Sequence, residues 1–223
     1  MPSLPTTEAE TSLERKLAAE LLSIGAVAFN PEKPYTWASG LLSPVYCDNR
    51  LTISHPRIRR LITDGFAGVV ASTGYRPEVV AGTATAGIPH AAWLADRLEL
   101  PLVYVRSAAK GHGRGRRVEG ALDSGRRVVL VEDLVSTGMS SLDAVSALTD
   151  EGAVVIAVLA IFTYGLPAAQ KAFSGAGVPL HALTSFEVLL DTARKEGRID
   201  SAEAEKVADW HRDPQAWSEA RAQ

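Results

Sequence analysis

The chain has 223 residues, 46% of them hydrophobic and 22% charged, with a formal net charge of −3. That composition is ordinary for a soluble globular protein, and the charge argues against a dedicated nucleic-acid binder. A single cysteine, Cys47, rules out an intrachain disulfide framework and suits a reducing compartment. The amino-terminal stretch has neither a basic start nor an apolar core, and no apolar run approaches membrane-spanning length. The expectation is a cytoplasmic protein with neither membrane nor nucleic acid as a partner.

Residues 1 to about 10 read as a polar, proline-marked tail. Thr11-Ser-Leu-Glu14 fits a capping box, followed by a helix with Leu13, Leu17 and Leu21 on its apolar face, backed by Ala18 and Leu22, and closed by Gly25. Residues 29–50 are broken by proline and glycine into short extended pieces, read as a hood over the mouth of a sheet. A helix over 55–73 carries Ile58, Leu61, Ile62, Phe66, Val69 and Val70 on one face. A strand over 78–82 leads through Thr83-Ala84-Thr85-Ala86-Gly87 into a second helix, and Pro101 opens a strand over 102–105. A polar loop spans 106–117 and returns as a hairpin through Val118-Glu119-Gly120. Then come a strand from Arg127, a helix ended by Gly152, an apolar strand over 154–162, a helix from Pro167, a strand over 180–184 and two final helices. Strands alternating with helices predict an α/β fold with a doubly wound, mostly parallel sheet. The expected organisation is an N-terminal helix and hood over 1–54, a core over 55–200, and a C-terminal helix and tail over 201–223.

The most informative stretch is Arg127 to Ser141. A β-branched run reads as a buried parallel strand, closed by Glu132 and Asp133; Ser136-Thr137-Gly138 makes a small turn, and Leu142, Val145 and Leu148 recur at near-helical spacing. Ligands of open α/β sheets sit outside the carboxyl ends of strands, and a turn opening a helix gathers backbone N–H groups around an anion. Two acids beside an anion loop suit a ligand that also carries hydroxyls, a divalent metal, or a carbon that becomes cationic. A phosphorylated sugar activated at its anomeric carbon has all three. Thr83-Ala84-Thr85-Ala86 is a second candidate anion loop; alone it is an ordinary βα turn, but a diphosphate ester needs two cradles. In the 106–117 loop, Arg106, Lys110, His112, Arg114, Arg116 and Arg117 are potential cations, and glycines at 111, 113 and 115 loosen it. Three readings stand: a solvated surface loop, an RNA-contacting segment, or a lid whose cations meet a departing pyrophosphate and exclude water. His55, His90, His181 and His211 are isolated, and no cluster has zinc spacing. Cys47 and the four tryptophans read as packing.

Val131-Glu-Asp-Leu-Val-Ser-Thr-Gly-Met-Ser140 resembles the phosphoribosyl pyrophosphate (PRPP) motif of type I phosphoribosyltransferases. Together with the second anion loop, the Lys-Gly-His-Gly stretch and the Tyr35-to-Arg50 hood, the pattern resembles the orotate phosphoribosyltransferase family over about residues 11–200. The resemblance implies Mg²⁺-dependent transfer of phosphoribose from PRPP to orotate, in a homodimer whose loop 106–117 reaches the neighbouring site. It implies that Glu132 and Asp133 face the ribose hydroxyls and the metal. Leu134, Val135, Ser136, Thr137, Gly138, Met139 and Ser140 would hold the 5′-phosphate, with Thr83, Ala84, Thr85 and Ala86 as the pyrophosphate loop. Arg106, Lys110 and His112 would contact pyrophosphate, Lys110 and His112 as catalytic groups beside the two acids. Ser136 would reach the orotate carboxylate, with Arg50 the candidate cation there. Several family lysines are replaced, by Ala38, Leu42, Ala86 and the Ser107-Ala108-Ala109 stretch; Arg114, Arg116 and Arg117 are the available substitutes. Two rivals remain: a phosphoribosyltransferase for a purine or other base, and a non-catalytic PRPP-binding regulator. The second would be expected to carry an added basic module, which is not visible.

Overall fold

The computed structural model describes residues 8–37, 40–107 and 116–221. Its contacts divide into two compact units, residues 55–183 and residues 1–54 with 184–223.

The N-terminal part begins with α1 (Glu8–Ser23), followed by four short strands, β1 (Val27–Phe29), β2 (Tyr35–Thr36), β3 (Leu42–Ser43) and β4 (Val45–Cys47). β1 pairs with β4 and β2 with β3, both antiparallel. The helix starts ahead of Thr11, so the Thr11–Glu14 capping box lies inside it rather than at its start. Leu17, Ala18, Leu21 and Leu22 are buried as their spacing predicts. The hood region, read as wholly extended, ends in a 3-10 turn, Asn49–Ser54.

The second unit runs α2 (Pro56–Ser72), β5 (Val79–Thr83), α3 (Gly87–Leu98), β6 (Leu102–Val105), β7 (Val118–Glu119), β8 (Arg127–Val135), α4 (Met139–Asp150), β9 (Val154–Thr163) and α5 (Pro167–Ala176). The chain continues through β10 (Leu180–Ser185), α6 (Phe186–Lys195), α7 (Ser201–Arg212) and α8 (Pro214–Glu219). The six-stranded sheet has the order β10-β9-β8-β5-β6-β7. β6, β5, β8 and β9 pair in parallel, and β7 returns antiparallel on β6 with Val105 opposite Val118, the expected hairpin. Val128 to Val131 and Ala157 to Phe162 are fully buried, which explains why these strands read as continuous apolar runs rather than alternating ones. Counting only the strands that follow crossovers, β5 lies between β6 and β8, so the winding reverses direction between β5 and β8. That reversal opens a crevice at their carboxyl ends.

Two differences from the sequence reading matter. Residues 184–200, expected in the core, belong with the N-terminal unit, where α6 packs on α1. α8 was not expected; its start is set by Asp213, whose carboxylate accepts from the Ala216 N–H, with Pro214 at its first turn.

Candidate active site

β5 and β8 are neighbours, with Gly82 opposite Val131, so the segments that follow them emerge side by side. Two glycines permit this. A Cβ on Gly87 would lie 2.5 Å from the Val131 carbonyl oxygen, and one on Gly82 would lie 2.9 Å from both the Ala91 Cβ and the Ile88 Cα. The start of α3 therefore rests directly on the backbone of both strands. The Thr83 hydroxyl donates to the Val131 carbonyl at 3.3 Å and ties the first loop to the second strand. Thr83 is buried, Thr85 exposed, and the Ala84–Thr85 peptide is cis.

Both loops end at bare helix N-termini. α3 starts behind Ala86 and α4 behind Gly138, with no side-chain cap in either case. α6, α7 and α8 are capped by Ser185, Asp200 and Asp213, and α2 and α5 carry proline in the first turn. α4 thus has neither device, and α3 lacks a side-chain cap but carries Pro89 at its third position. The positive end of each peptide-dipole array is left for an external anion, together with the first N–H groups of α4; in α3 the Ile88 N–H reaches the Thr85 carbonyl at 3.4 Å and Pro89 has no N–H. Gly138 adopts φ +83°, where L side chains are strained, and a Cβ there would lie 2.7 Å from the Phe173 ring. Ser136 is half-buried, while Thr137, Met139 and Ser140 are exposed.

The acids lie inside β8, two and three residues before its end, rather than closing it. Glu132 is only 5% exposed. The Asp133 N–H donates to its Oε1 at 3.2 Å and the Ser141 hydroxyl to its Oε2 at 3.1 Å. Burial pushes the Glu132 carboxyl up to about 8; the Asp133 charge acts in the same direction, and the Ser141 hydrogen bond opposes it. Burial thus favours the protonated form of Glu132. Asp133 is half-buried.

Leu134 and Val135 are strand residues paired with Phe162 and Thr163, not part of the turn. Val135 is 1% exposed and its carbonyl accepts from the Tyr164 N–H, so its side chain serves the core. Arg106 follows β6, and its guanidinium stands 3.7 Å from Glu119. Arg116 and Arg117 are not spare cations: Arg116 pairs with Glu151 at 3.4 Å, and Arg117 forks onto Asp143. Lys110, His112 and Arg114 lie outside the described residues. Arg50 belongs to the other compact unit, where it forms a fork with Asp48 at 2.6 and 2.7 Å. His90, His181 and His211 have packing roles: His90 is buried edge-on to Trp93, His181 bonds the Tyr75 hydroxyl at 3.0 Å, and His211 stacks on Phe186. A cavity of about 570 Å³ between α6 and α7 contains none of the candidate residues.

Among the described residues no group of three or more His, Cys, Asp or Glu could cage a metal, and no helix is long and apolar enough to cross a membrane. A pair of hard carboxylates beside two anion loops instead fits Mg²⁺, which typically keeps several waters and takes other oxygens from a phosphorylated ligand.

A family model for the phosphoribosyl transferase domain matches residues 52–173. An orotate phosphoribosyltransferase of Cutibacterium acnes is 50% identical over 214 residues, covering 96% of this chain and 99% of the relative. The crystal structure of orotate phosphoribosyltransferase from Aeropyrum pernix matches with a TM-score of 0.72 at 33% identity, covering 82% of this chain and 99% of that one. The Mycobacterium tuberculosis orotate phosphoribosyltransferase solved in complex with PRPP matches with a TM-score of 0.62 at 25% identity, covering 79% of this chain and 98% of that one.

Proposed function

The chain belongs to the orotate phosphoribosyltransferase family, with the type I phosphoribosyltransferase fold, and on that premise we propose how its residues divide the reaction. The enzyme is a pentosyltransferase of pyrimidine biosynthesis. It transfers phosphoribose from PRPP to N1 of orotate and yields orotidine 5′-phosphate and pyrophosphate. The bond formed is N1–C1′; the bonds broken are C1′–O to pyrophosphate, whose oxygen leaves with the electron pair, and N1–H, whose proton passes to water.

The observation that carries the assignment of roles is the pair of uncapped helix N-termini on either side of the β5/β8 crevice. The turn over residues 136–140 takes the 5′-phosphate through its N–H groups and the hydroxyls of Ser136, Thr137 and Ser140. Thr83 to Ala86 takes the diphosphate, with Arg106 beside it. Ser136 also reaches the base carboxylate. Glu132 and Asp133 face the ribose hydroxyls and would hold a magnesium ion, which when bound supplies positive charge against the departing pyrophosphate.

No nucleophilic side chain is required, because a ribosyl centre losing pyrophosphate approaches an oxocarbenium ion. Positioning and electrostatics carry the rate. Asp133 tolerates positive charge on the ring, and a bound cation would offset the burial that raises Glu132. Lys110 and His112, from a loop reaching into the neighbouring subunit's site, meet the pyrophosphate. The working form is a cytoplasmic homodimer.

The test is an absorbance assay with PRPP and Mg²⁺ run on orotate beside uracil, hypoxanthine and xanthine. Consumption of orotate alone is expected. Comparable turnover of a purine base, or none with orotate, would overturn the assignment.

A further inference from the structure

Loop 106–117 is joined to the fold through a neck whose two ends are both described. At that neck Arg106 donates its N–H to the Arg117 carbonyl at 2.9 Å, and Arg117 returns Nε–H to the Arg106 carbonyl at 3.1 Å. The same guanidinium forks onto Asp143, with Nη1 to Oδ1 at 2.9 Å and Nη2 on Oδ2. Its neighbour Arg116 pairs with Glu151 at the end of the same helix, so two consecutive arginines grip α4 about two turns apart. α4 is the helix whose N-terminus forms the 5′-phosphate turn, and Arg106 is the cation assigned to the pyrophosphate. One side chain therefore ties the carboxyl end of β6 to α4.

We infer that Arg117, through its fork on Asp143, is a positioning residue for PRPP, fixing Arg106 relative to the 5′-phosphate turn. The inference rests on the assignment of PRPP to the 83–86 and 136–140 loops and Arg106. Its physical basis is that a guanidinium can bond a carbonyl and a carboxylate in one plane at once, which a lysine ammonium does not reproduce. The position of the fork argues against a purely structural role. The Asp143 side chain is 57% exposed and that of Arg117 24%, and ion pairs this exposed contribute little to folding. Its loss should leave the fold in place while releasing the neck.

The experiment is titration of the full chain with PRPP by calorimetry, beside steady-state kinetics with orotate, for Arg117→Ala, Arg117→Lys, Asp143→Asn and the Arg117→Ala/Asp143→Asn pair. Each single variant should weaken PRPP binding about fivefold to tenfold, with the KM for orotate and the melting temperature nearly unchanged. The pair should be no worse than the weaker-binding single, because both remove one contact. Arg117→Lys should recover only part of the loss. Wild-type affinity in both Arg117→Ala and Asp143→Asn, or additive losses in the pair, overturns the inference. Should Arg117→Ala fail to fold, Asp143→Asn, nearly isosteric and exposed, decides alone. A wild-type chain that binds PRPP but ignores orotate would sink the substrate assignment and leave this inference to the calorimetry; one that binds no PRPP would sink both.

Discussion

Replacing Gly87 by alanine tests whether the contact of α3 with β8 sets the proposed pyrophosphate loop. The added Cβ would lie 2.5 Å from the Val131 carbonyl oxygen, 3.4 Å from the Val131 carbonyl carbon and 3.5 Å from the Glu132 Cα. These are backbone atoms of a central strand, and Val131 is 0% exposed, so the strand has nowhere to retreat. Relief requires α3 to lift by about 1 Å, the range in which overpacking costs about 1–3 kcal/mol. Alanine returns up to about 1 kcal/mol of helix propensity, so a net loss is expected. For a chain of this length each kcal/mol lowers the melting temperature by about 2–4 °C. The first turn of α3 carries the loop with it, and a displacement of that size at a binding group costs about a hundredfold in kcat/KM for PRPP. Scanning calorimetry and initial-rate kinetics read the two effects. Gly68→Ala is the internal control. That glycine is inside α2 with nothing within 4 Å of its would-be Cβ, so the same substitution should stabilise by about 0.5–1 kcal/mol and leave kinetics alone. The reasoning is refuted if the two variants move together, or if Gly87→Ala keeps both wild-type stability and wild-type kcat/KM.

Asp133→Asn removes the less buried member of the acid pair and should cut kcat by at least about a hundredfold with the circular-dichroism spectrum unchanged; a near-normal kcat would remove Asp133 from the mechanism. His90 should make the fold acid-sensitive. Burial lowers it from 6.5 to about 4, so between those values the unfolded chain binds a proton that the native one excludes, and stability falls as pH drops through that window. The full effect is about 3 kcal/mol. Glu132, raised by burial, acts in the opposite sense, so the informative measurement is wild type against His90→Gln: the stability of the wild type relative to the variant should rise by about 3 kcal/mol from pH 4 to pH 7. A difference independent of pH would mean that His90 titrates normally. Mixing Lys110→Ala with Asp133→Asn subunits should regain part of the wild-type activity, since one of the two sites in a heterodimer would have both groups intact. No recovery in verified heterodimers counts against a loop acting in trans.

The strand–turn–helix framework of the proposed site was legible because local rules write it locally. Two strand–turn–helix signals with small residues, one containing paired acids, marked both turns after β5 and β8, and the strand over 102–105 and the 118–120 return were readable from proline, glycine and branched aliphatics. Two local readings failed, the first because of strand pairing. β8 runs on through Glu132 and Asp133 because β9 pairs with it as far as Val135, a register that no run of residues specifies. α1 extends ahead of Thr11 despite a capping signal there.

By itself, then, the order of residues determined the alternation of strands and helices, the two phosphate-sized turns and the family. Periodicity, chain breakers and side-chain chemistry act over a few positions and survive in a linear string. Only the tertiary structure decided that β5 and β8 lie side by side at the reversal of the sheet, and that Gly87 must be bare to clear Val131. It alone decided that Glu132 is buried, which raises its carboxyl, and that Arg116 and Arg117 are paired with Glu151 and Asp143. Each depends on which backbone or carboxylate arrives from elsewhere in the chain, because desolvation, steric contact and charge pairing are set by neighbours in space.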